Sequence, residues 1–204
     1  ELLLGGRLNR YHSDREQLSF PGSPGAPLPL VPGQVETTLT EVRFLPKVGV
    51  SWAVAPDHNV AVTARQGYNP GGASVVLSDG TPYSFDSETV WTFEAAYRGS
   101  LLDDRLTFGA TAFFNSYDDP QLYLQDGTGG LASLRIVNAE AGLSYGAEFE
   151  AALQATDSLT LEASLGLLET EITEAQTVLP ALEGNDFGTD PAITFGLGAT
   201  WEPI

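Results

Sequence analysis

The longest regular alternation of apolar and polar residues runs through residues 143–167. One arm, residues 143–153, has Leu143, Tyr145 and Phe149 among its apolar positions, and the other, residues 159–167, has leucine or alanine at alternate positions. A short turn at residues 155–158 separates the arms. Because side chains alternate across a strand, the pattern predicts a β-hairpin with one apolar and one polar face. Each arm has about ten residues, which is the length of a tilted strand that crosses a bilayer.

Six further segments show the same period and predict six more strands. They lie at residues 2–11, 42–54, 59–66, 89–98, 105–117 and 192–201. Short connections at residues 56–59, 99–104 and 155–158 alternate with long ones at 13–41, 67–88, 118–141 and 172–190. Five prolines lie between positions 21 and 32. Because proline has no N–H to donate to the hydrogen bonds of a sheet, we predict that the whole of 13–41 is a loop.

The order of long and short connections is typical of transmembrane β-barrels, whose turns are short on one side of the membrane and whose loops are long on the other. The predicted fold is therefore all-β, an antiparallel up-and-down transmembrane β-barrel segment of eight strands that form an open sheet. Aromatic residues near strand ends on the apolar face predict two interfacial belts. One belt contains Trp91, Phe93, Phe114 and Tyr145, and the other contains Trp52, Tyr97 and Trp201. The alternative is that these rings fill the core of a soluble β-sandwich.

The amino-acid composition argues against several classes of function. Lys and Arg number 9 against 27 Asp and Glu, a net charge of -18, which argues against a nucleic-acid partner. No cysteine and only two histidines disfavour a metal site or thiol chemistry. Glu148 and Glu150 share a strand face, but no nucleophile or histidine accompanies them. We therefore expect neither an enzyme nor a bound cofactor.

Three stretches carry a family resemblance. Residues 65–72 read RQGYNPGG, residues 88–99 read ETVWTFEAAYRG and lead into RLTF at 105–108, and residues 137–150 read VNAEAGLSYGAEFE. In this order and spacing they closely resemble the barrel of TonB-dependent outer-membrane receptors, especially the siderophore-receptor-like branch. The resemblance covers most of the chain from Phe44 onward. The chain departs from the family pattern at Gln66, where the family often has Ser-Arg before the Gly-Tyr pair.

The resemblance implies a barrel of 22 strands in the bacterial outer membrane, filled by an N-terminal plug and driven by energy that TonB relays. Residues 1–204 would then be a partial barrel domain of about eight strands, without the plug and the terminal strands. The implied function is uptake of a chelated nutrient, an iron-siderophore being favoured. The implied partners are outer-membrane lipid, the receptor's own plug, TonB and the chelated small molecule. Two alternatives stay open: a passive porin or structural outer-membrane barrel, and a secreted β-sandwich binding module.

Candidate ligand-binding residues are Arg65, Gln66, Tyr68 and Asn69. Gly67, Gly71 and Gly72, with Pro70, predict a sharp exit from the sheet that displays Tyr68 and Asn69 at the mouth. Arg65 would bind chelate oxygens and Tyr68 would stack. The alternatives are a turn without a binding role, and an Arg65 that only pairs with Glu94. The carboxylates predicted to line the lumen wall are Glu94, Glu148, Glu150 and Glu162.

Overall fold

The computed structural model describes residues 1–19, 33–125, 133–176, 179–188 and 190–203. Within these ranges the chain forms twelve strands and one short 3-10 turn at Pro180–Leu182. The strands are β1 (Leu2–Ser19), β2 (Gly33–Ala55), β3 (His58–Asn69), β4 (Gly72–Val75), β5 (Pro82–Phe85), β6 (Glu88–Leu101), β7 (Leu106–Asp118), β8 (Gln121–Leu124), β9 (Arg135–Asn138), β10 (Ala141–Thr156), β11 (Leu159–Glu174) and β12 (Ile193–Trp201).

Eight of these strands form one antiparallel sheet in the order β1-β2-β3-β6-β7-β10-β11-β12. β1 and β12 are its two edges, so the predicted open up-and-down sheet of eight strands is confirmed. The remaining four strands form two small hairpins, β4–β5 and β8–β9, inside long connections. Those hairpins were not predicted from the sequence. No helix among the described residues is long and apolar enough to cross a membrane.

Strand register gives the large sheet an apolar face. One row of paired residues crosses all eight strands and consists of Leu2, Val50, Val62, Ala95, Ala112, Ala147, Leu167 and Ile193. Phe195 and Leu197 on the same face are 80% and 83% exposed, so no protein layer covers them within the described residues. A soluble sandwich would bury this face against a second sheet. We call it the outer face.

The opposite face is polar and we call it the inner face. Its rows contain Gly49, Thr63 and Glu94 in one register, and Arg98, Gly109 and Glu150 in another. An open depression of about 1100 Å³ lies over this face, lined by residues of six successive sheet strands from β3 to β12. The sheet is therefore bent around its polar side.

The predicted aromatic clustering is present on the outer face. Phe93 pairs with Phe114, which also pairs with Tyr145 on β10. The ring centroids of Phe93 and Phe114 lie 6.5 Å apart, and those of Trp91 and Phe93 lie 6.2 Å apart. These four residues form one continuous patch near the end of the sheet where the long connections lie. We call that end the mouth.

The loop predicted at residues 13–41 is wrong at both of its ends. β1 continues to Ser19, β2 already begins at Gly33, and the two pair up to Ser19 and Gly33. The prolines between 21 and 32 do not constrain residues 13–19 and 33–41, which contain none. Eight further residues of β1 and nine of β2 extend the hairpin by roughly 25–30 Å at the usual rise per residue.

The turn predicted at Gly67 is also wrong. Gly67 lies inside β3 opposite Val90, and the pairing continues through Tyr68 and Asn69. Positive φ angles occur at other glycines, namely Gly80, Gly184 and Gly188. Gly67 instead lets β3 pack closely against Val90 of β6, because a Cβ there would lie 2.8 Å from Val90 Cγ1. Tyr68 and Asn69 therefore belong to the strand rather than to a loop beyond it.

Candidate functional site at the mouth

One glutamine, Gln121, joins the long connections at the mouth by hydrogen bonds. The Gln121 side chain donates from Nε2 to the carbonyl oxygens of Pro70 (3.0 Å) and Asp86 (2.9 Å). Its backbone N–H donates to the Glu88 carboxylate at 2.7 Å. Asn69 donates to Gln121 Oε1 at 2.9 Å. Gln121 thereby ties β8 to the connections before and after the β4–β5 hairpin.

A second amide repeats this arrangement from β9. Asn138 is 5% exposed, accepts from the Asp86 N–H at 2.8 Å, and donates to the carbonyls of Asp86 (3.1 Å) and Asp119 (2.8 Å). Burial, and then the charges of Asp118, Asp86 and Glu140, raise the pKa of the Asp119 carboxyl. The connections at the mouth are thus cross-linked by two amides and carry crowded acidic groups.

Arg65 lies on the inner face and pairs with a carboxylate. Its Nη2 is 3.5 Å from Glu94 Oε2 on the neighbouring strand β6, and both side chains are partly exposed. This is the arrangement that the sequence offered as the alternative to direct ligand binding. The guanidinium still has further donors, since one ion pair engages only part of its fork.

Tyr68 contacts the extended part of β2. Its hydroxyl donates to the Glu41 carboxylate, and the Arg43 guanidinium lies 5.6 Å from the ring centroid. Burial, and then the hydrogen bond to Glu41, raise the pKa of Tyr68 to about 12. Arg43 also lies 3.9 Å from Glu41 and donates to Ser87 Oγ at 3.1 Å. Pairing between β2 and β3 ends at Lys47 and Arg65, so Tyr68 reaches across the gap between diverging strands.

Gln66 and Asn69 do not join Arg65. Gln66 alternates with Arg65 along β3 and pairs with Trp91, which places it on the outer face. The Asn69 amide is engaged by Gln121. Of the four candidate ligand residues, the structure therefore brings Arg65 and Tyr68 toward the basic side chains of β2, and uses Asn69 in the fold of the mouth.

Five cationic residues lie on the inner face of β1, β2 and β3; four of them occupy neighbouring register positions, and we call these four the basic strip. Its members are Arg7, Arg43, Lys47 and Arg65. On β2, Arg43 and Lys47 stand two residues either side of Leu45, which pairs with Arg7. Lys47 pairs with Arg65 on β3. Together with Arg15, the basic strip places five of the nine cations of a chain of net charge -18 on the inner face of three adjacent strands.

Sequence reasoning missed three members of the basic strip. The alternation of Arg43, Leu45 and Lys47 was a usable signal for a shared face on β2. The position of Arg7 beside them follows only from the long β1–β2 register, which depends on pairing that the proline-rich stretch concealed. Glu41 and Gln121 were missed for the same reason, since each acts through contacts distant in sequence.

The carboxylates of β10 and β11 that were predicted to line the lumen lie on the inner face of the sheet. Glu148 pairs with Thr111 and Gly166, Glu150 with Gly109 and Ser164, and Glu162 with Ala152 and Gly198, all in inner-face rows. Glycine makes room for two of the carboxylates: a Cβ on Gly109 would lie 2.8 Å from Glu150 Oε1, and one on Gly198 would lie 3.1 Å from Glu162 Oε2. This sector of the wall is acidic, in contrast to the basic strip.

Among the described residues, no three His, Cys, Asp or Glu side chains come together in a way that could hold a metal ion. The basic strip places guanidinium and ammonium donors side by side on the inner face, an arrangement that attracts anions, whereas the carboxylates elsewhere on this face repel them.

Comparison with known proteins agrees with this architecture. The family model described as TonB dependent receptor-like, beta-barrel, matches residues 1–204. The chain is similar in structure to the ferric yersiniabactin uptake receptor FyuA from Yersinia pestis, with a TM-score of 0.70 and 17% identity over 97% of this chain and 28% of that one.

Two further solved structures show the same likeness. The ferric-catecholate import receptor Fiu from K12 E. coli has a TM-score of 0.69 at 17% identity, covering 98% of this chain and 29% of that one. The copper transporter OprC has a TM-score of 0.70 at 14% identity, covering 99% and 31%. The chain spans less than a third of the length of each of these proteins, and at these identities the likeness concerns the fold.

Proposed function

The chain belongs to the TonB-dependent receptor β-barrel family, and from that membership we propose that it forms part of the barrel wall of an outer-membrane receptor that imports an anionic metal chelate. The uncovered outer face supports a lipid-facing wall. In this proposal the mouth lies on the outside of the cell and the short turns lie in the periplasm.

The observation that carries the ligand class is the basic strip. A chain of net charge -18 repels anions over most of its surface. The cations of the basic strip lie together at the inner side of the mouth, where a ligand would enter; they are Arg7, Arg43, Lys47 and Arg65. Arginine forks bind carboxylate, hydroxamate or catecholate oxygens with two donors at once. A ferric siderophore is the favoured chelate, and two of the similar structures are by name receptors for ferric compounds.

The partners follow from the same membership. The inner face would contact the receptor's own plug, with Glu94, Glu148, Glu150 and Glu162 as wetted wall positions, and TonB would act on the whole receptor through the plug. A passive porin is the competing function, and it differs in needing no energy.

The test uses the full-length receptor in bacteria with and without functional TonB, and measures cell-associated iron supplied as ferric citrate. We expect uptake that requires TonB and falls at least about fivefold in Lys47→Ala with Arg65→Ala, because charge-assisted contacts contribute more than neutral ones. Arg10→Ala, which removes a cation from the outer face of β1, is the matched control. Uptake that is equal with and without TonB would favour the porin.

A further inference from the structure

A small pocket lies beside the basic strip, under the extended β1–β2 hairpin. It has a volume of about 250 Å³. The hairpin forms one wall, and β5, β8 and β9 form the other. The side chains that matter for its chemistry are Tyr11, Arg15, Leu39, Phe85, Tyr123 and Ile136.

Glycine keeps the floor of this pocket open. Gly71 and Gly72 line it, and a Cβ on Gly72 would lie 2.8 Å from the Phe85 ring. The far wall is fixed, because Gln121 holds Pro70 and Asp86 by the hydrogen bonds described above. The pocket is therefore built into the fold of the mouth rather than left between loose side chains.

The size of the pocket suits one ring. A cavity of about 150 Å³ is enough for benzene, whereas whole drug-sized ligands occupy pockets of about 300–1,000 Å³. The 250 Å³ here fits a single substituted ring and not a complete chelate.

The side chains that line the pocket indicate the chemistry of that ring. Tyr11, Phe85 and Tyr123 offer aromatic surfaces for stacking, and Tyr123 is 74% exposed at the rim. Arg15 adds a guanidinium on the inner face of β1, four residues after Tyr11 and on the same face. An aromatic ring that bears adjacent anionic oxygens meets both requirements.

We propose that this pocket binds one anionic aromatic ring, of the catecholate or hydroxybenzoate class, carried by the incoming chelate. The inference rests on the proposed function and specifies which arm of the ligand is held, and where. Arg15 contacts the ring's oxygens, and Tyr11 and Tyr123 contact its faces. The metal-bearing remainder of the chelate projects toward the basic strip.

The test measures binding of two chelates to the full-length receptor by isothermal titration. One is the ferric complex of 2,3-dihydroxybenzoate, and the other is ferric citrate, which is anionic but has no ring. Arg15→Ala and Tyr11→Ala should each weaken binding of the ring-bearing chelate about tenfold and leave ferric citrate within about twofold. Arg10→Ala removes the same charge from the opposite face of β1 and should change neither affinity.

The outcomes separate the two proposals. If the unaltered receptor binds neither chelate, the proposed function fails and this inference with it. If it binds both, and Arg15→Ala and Tyr11→Ala weaken both equally or neither, the proposed function stands and the ring pocket is overturned. Equal losses in Arg10→Ala and Arg15→Ala would also overturn it, because the effect would then be one of net charge.

Discussion

Arg65 and Glu94 face each other across β3 and β6 on the inner face, with Nη2 of the arginine 3.5 Å from Oε2 of the glutamate. Both side chains are partly exposed, so the pair contributes little to stability, on the order of 0–1 kcal/mol. Under the proposed function the pair matters more for an incoming anion, because Glu94 neutralises the charge of one of the four cations of the basic strip.

The first prediction follows from that neutralisation. Glu94→Gln frees the guanidinium and removes a repulsive charge, so affinity for ferric citrate should rise about two- to fivefold. Arg65→Ala should lower it by a similar factor or more. Affinity measured at low and high salt checks the cause, because both changes should shrink as salt increases. If Glu94→Gln left affinity unchanged and Arg65→Ala did too, the pair would serve the shape of the wall only.

Much of the fold was predictable because one face of the sheet is apolar throughout. Alternation at period two is strict wherever a strand has one apolar and one polar side, and it located all eight strands of the sheet and their order. The inner-face position of Glu148 and Glu150 was predictable for the same reason, since both alternate with Phe149.

Beyond the apolar part of the outer face, toward the tip of the β1–β2 hairpin, both sides of a strand are mostly polar. The period-two alternation there no longer marks a strand. Residues 13–19 and 33–41 pair because β1 and β2 are already aligned below them, which no local pattern reveals. The contact of Tyr68 with Glu41 was unpredictable in the same way. It depends on where β2 and β3 diverge, at Lys47 and Arg65.

The second prediction concerns the ionisation of Tyr68, whose pKa is raised to about 12 by burial and then by Glu41. The folded protein favours the neutral phenol, so this contribution to stability is fully present below the ordinary tyrosine pKa, about 10. It is lost as pH rises through the folded-state value. Phenolate absorbance should show a late-titrating component that disappears in Tyr68→Phe. In Glu41→Gln it should titrate earlier, but still above an ordinary tyrosine, because burial is the larger cause.

The third prediction tests the assignment of faces. Phe149 is 46% exposed on the outer face, between Ala110 and Leu165. Phe149→Lys should cost about 2–4 kcal/mol of folding free energy in lipid, as charged residues do near the middle of a barrel's lipid face. Glu148→Lys places the same side chain one residue away on the inner face and should cost far less. The folded fraction in phospholipid vesicles against urea measures both, and equal losses would contradict the face assignment.

The fourth prediction uses the close packing at Gly146. Phe113 lies on the same inner face, and a Cβ on Gly146 would lie 2.6 Å from its Cζ and closer still to the Leu167 carbonyl oxygen. Backbone cannot move aside as a flexible side chain can, so Gly146→Ala should destabilise the barrel by about 1–3 kcal/mol. Gly5→Ala is the matched control on β1, because a Cβ there meets nothing within 4 Å. Urea unfolding in lipid compares them, and equal midpoints would show that β10 and β11 separate at little cost.

The last prediction concerns the order of the mouth. Asn138 is nearly fully buried and makes three hydrogen bonds, one accepted from Asp86 and two donated to the carbonyls of Asp86 and Asp119. Asn138→Asp keeps the shape of the side chain but replaces the donor with an oxygen, so an ionised side chain would face two carbonyls. Each buried group left without its partner costs about 1–3 kcal/mol. We expect this loss to appear locally, because Asn138 links connections at the mouth rather than the paired strands of the sheet.

Hydrogen exchange of the intact receptor in lipid resolves where the loss occurs. Amides of the β4–β5 and β8–β9 hairpins should exchange at least about tenfold faster in Asn138→Asp, while amides in the centres of β7 and β10 keep their rates. Lowering the pH toward the range where the new carboxyl is protonated should restore part of the protection, since a protonated carboxyl can again donate to one carbonyl. Asn9→Asp, on β1, makes the same change outside this network and should leave both hairpins protected. Faster exchange throughout the sheet would instead mean that Asn138 supports the barrel wall itself, and unchanged exchange would mean that Gln121 alone holds the mouth together.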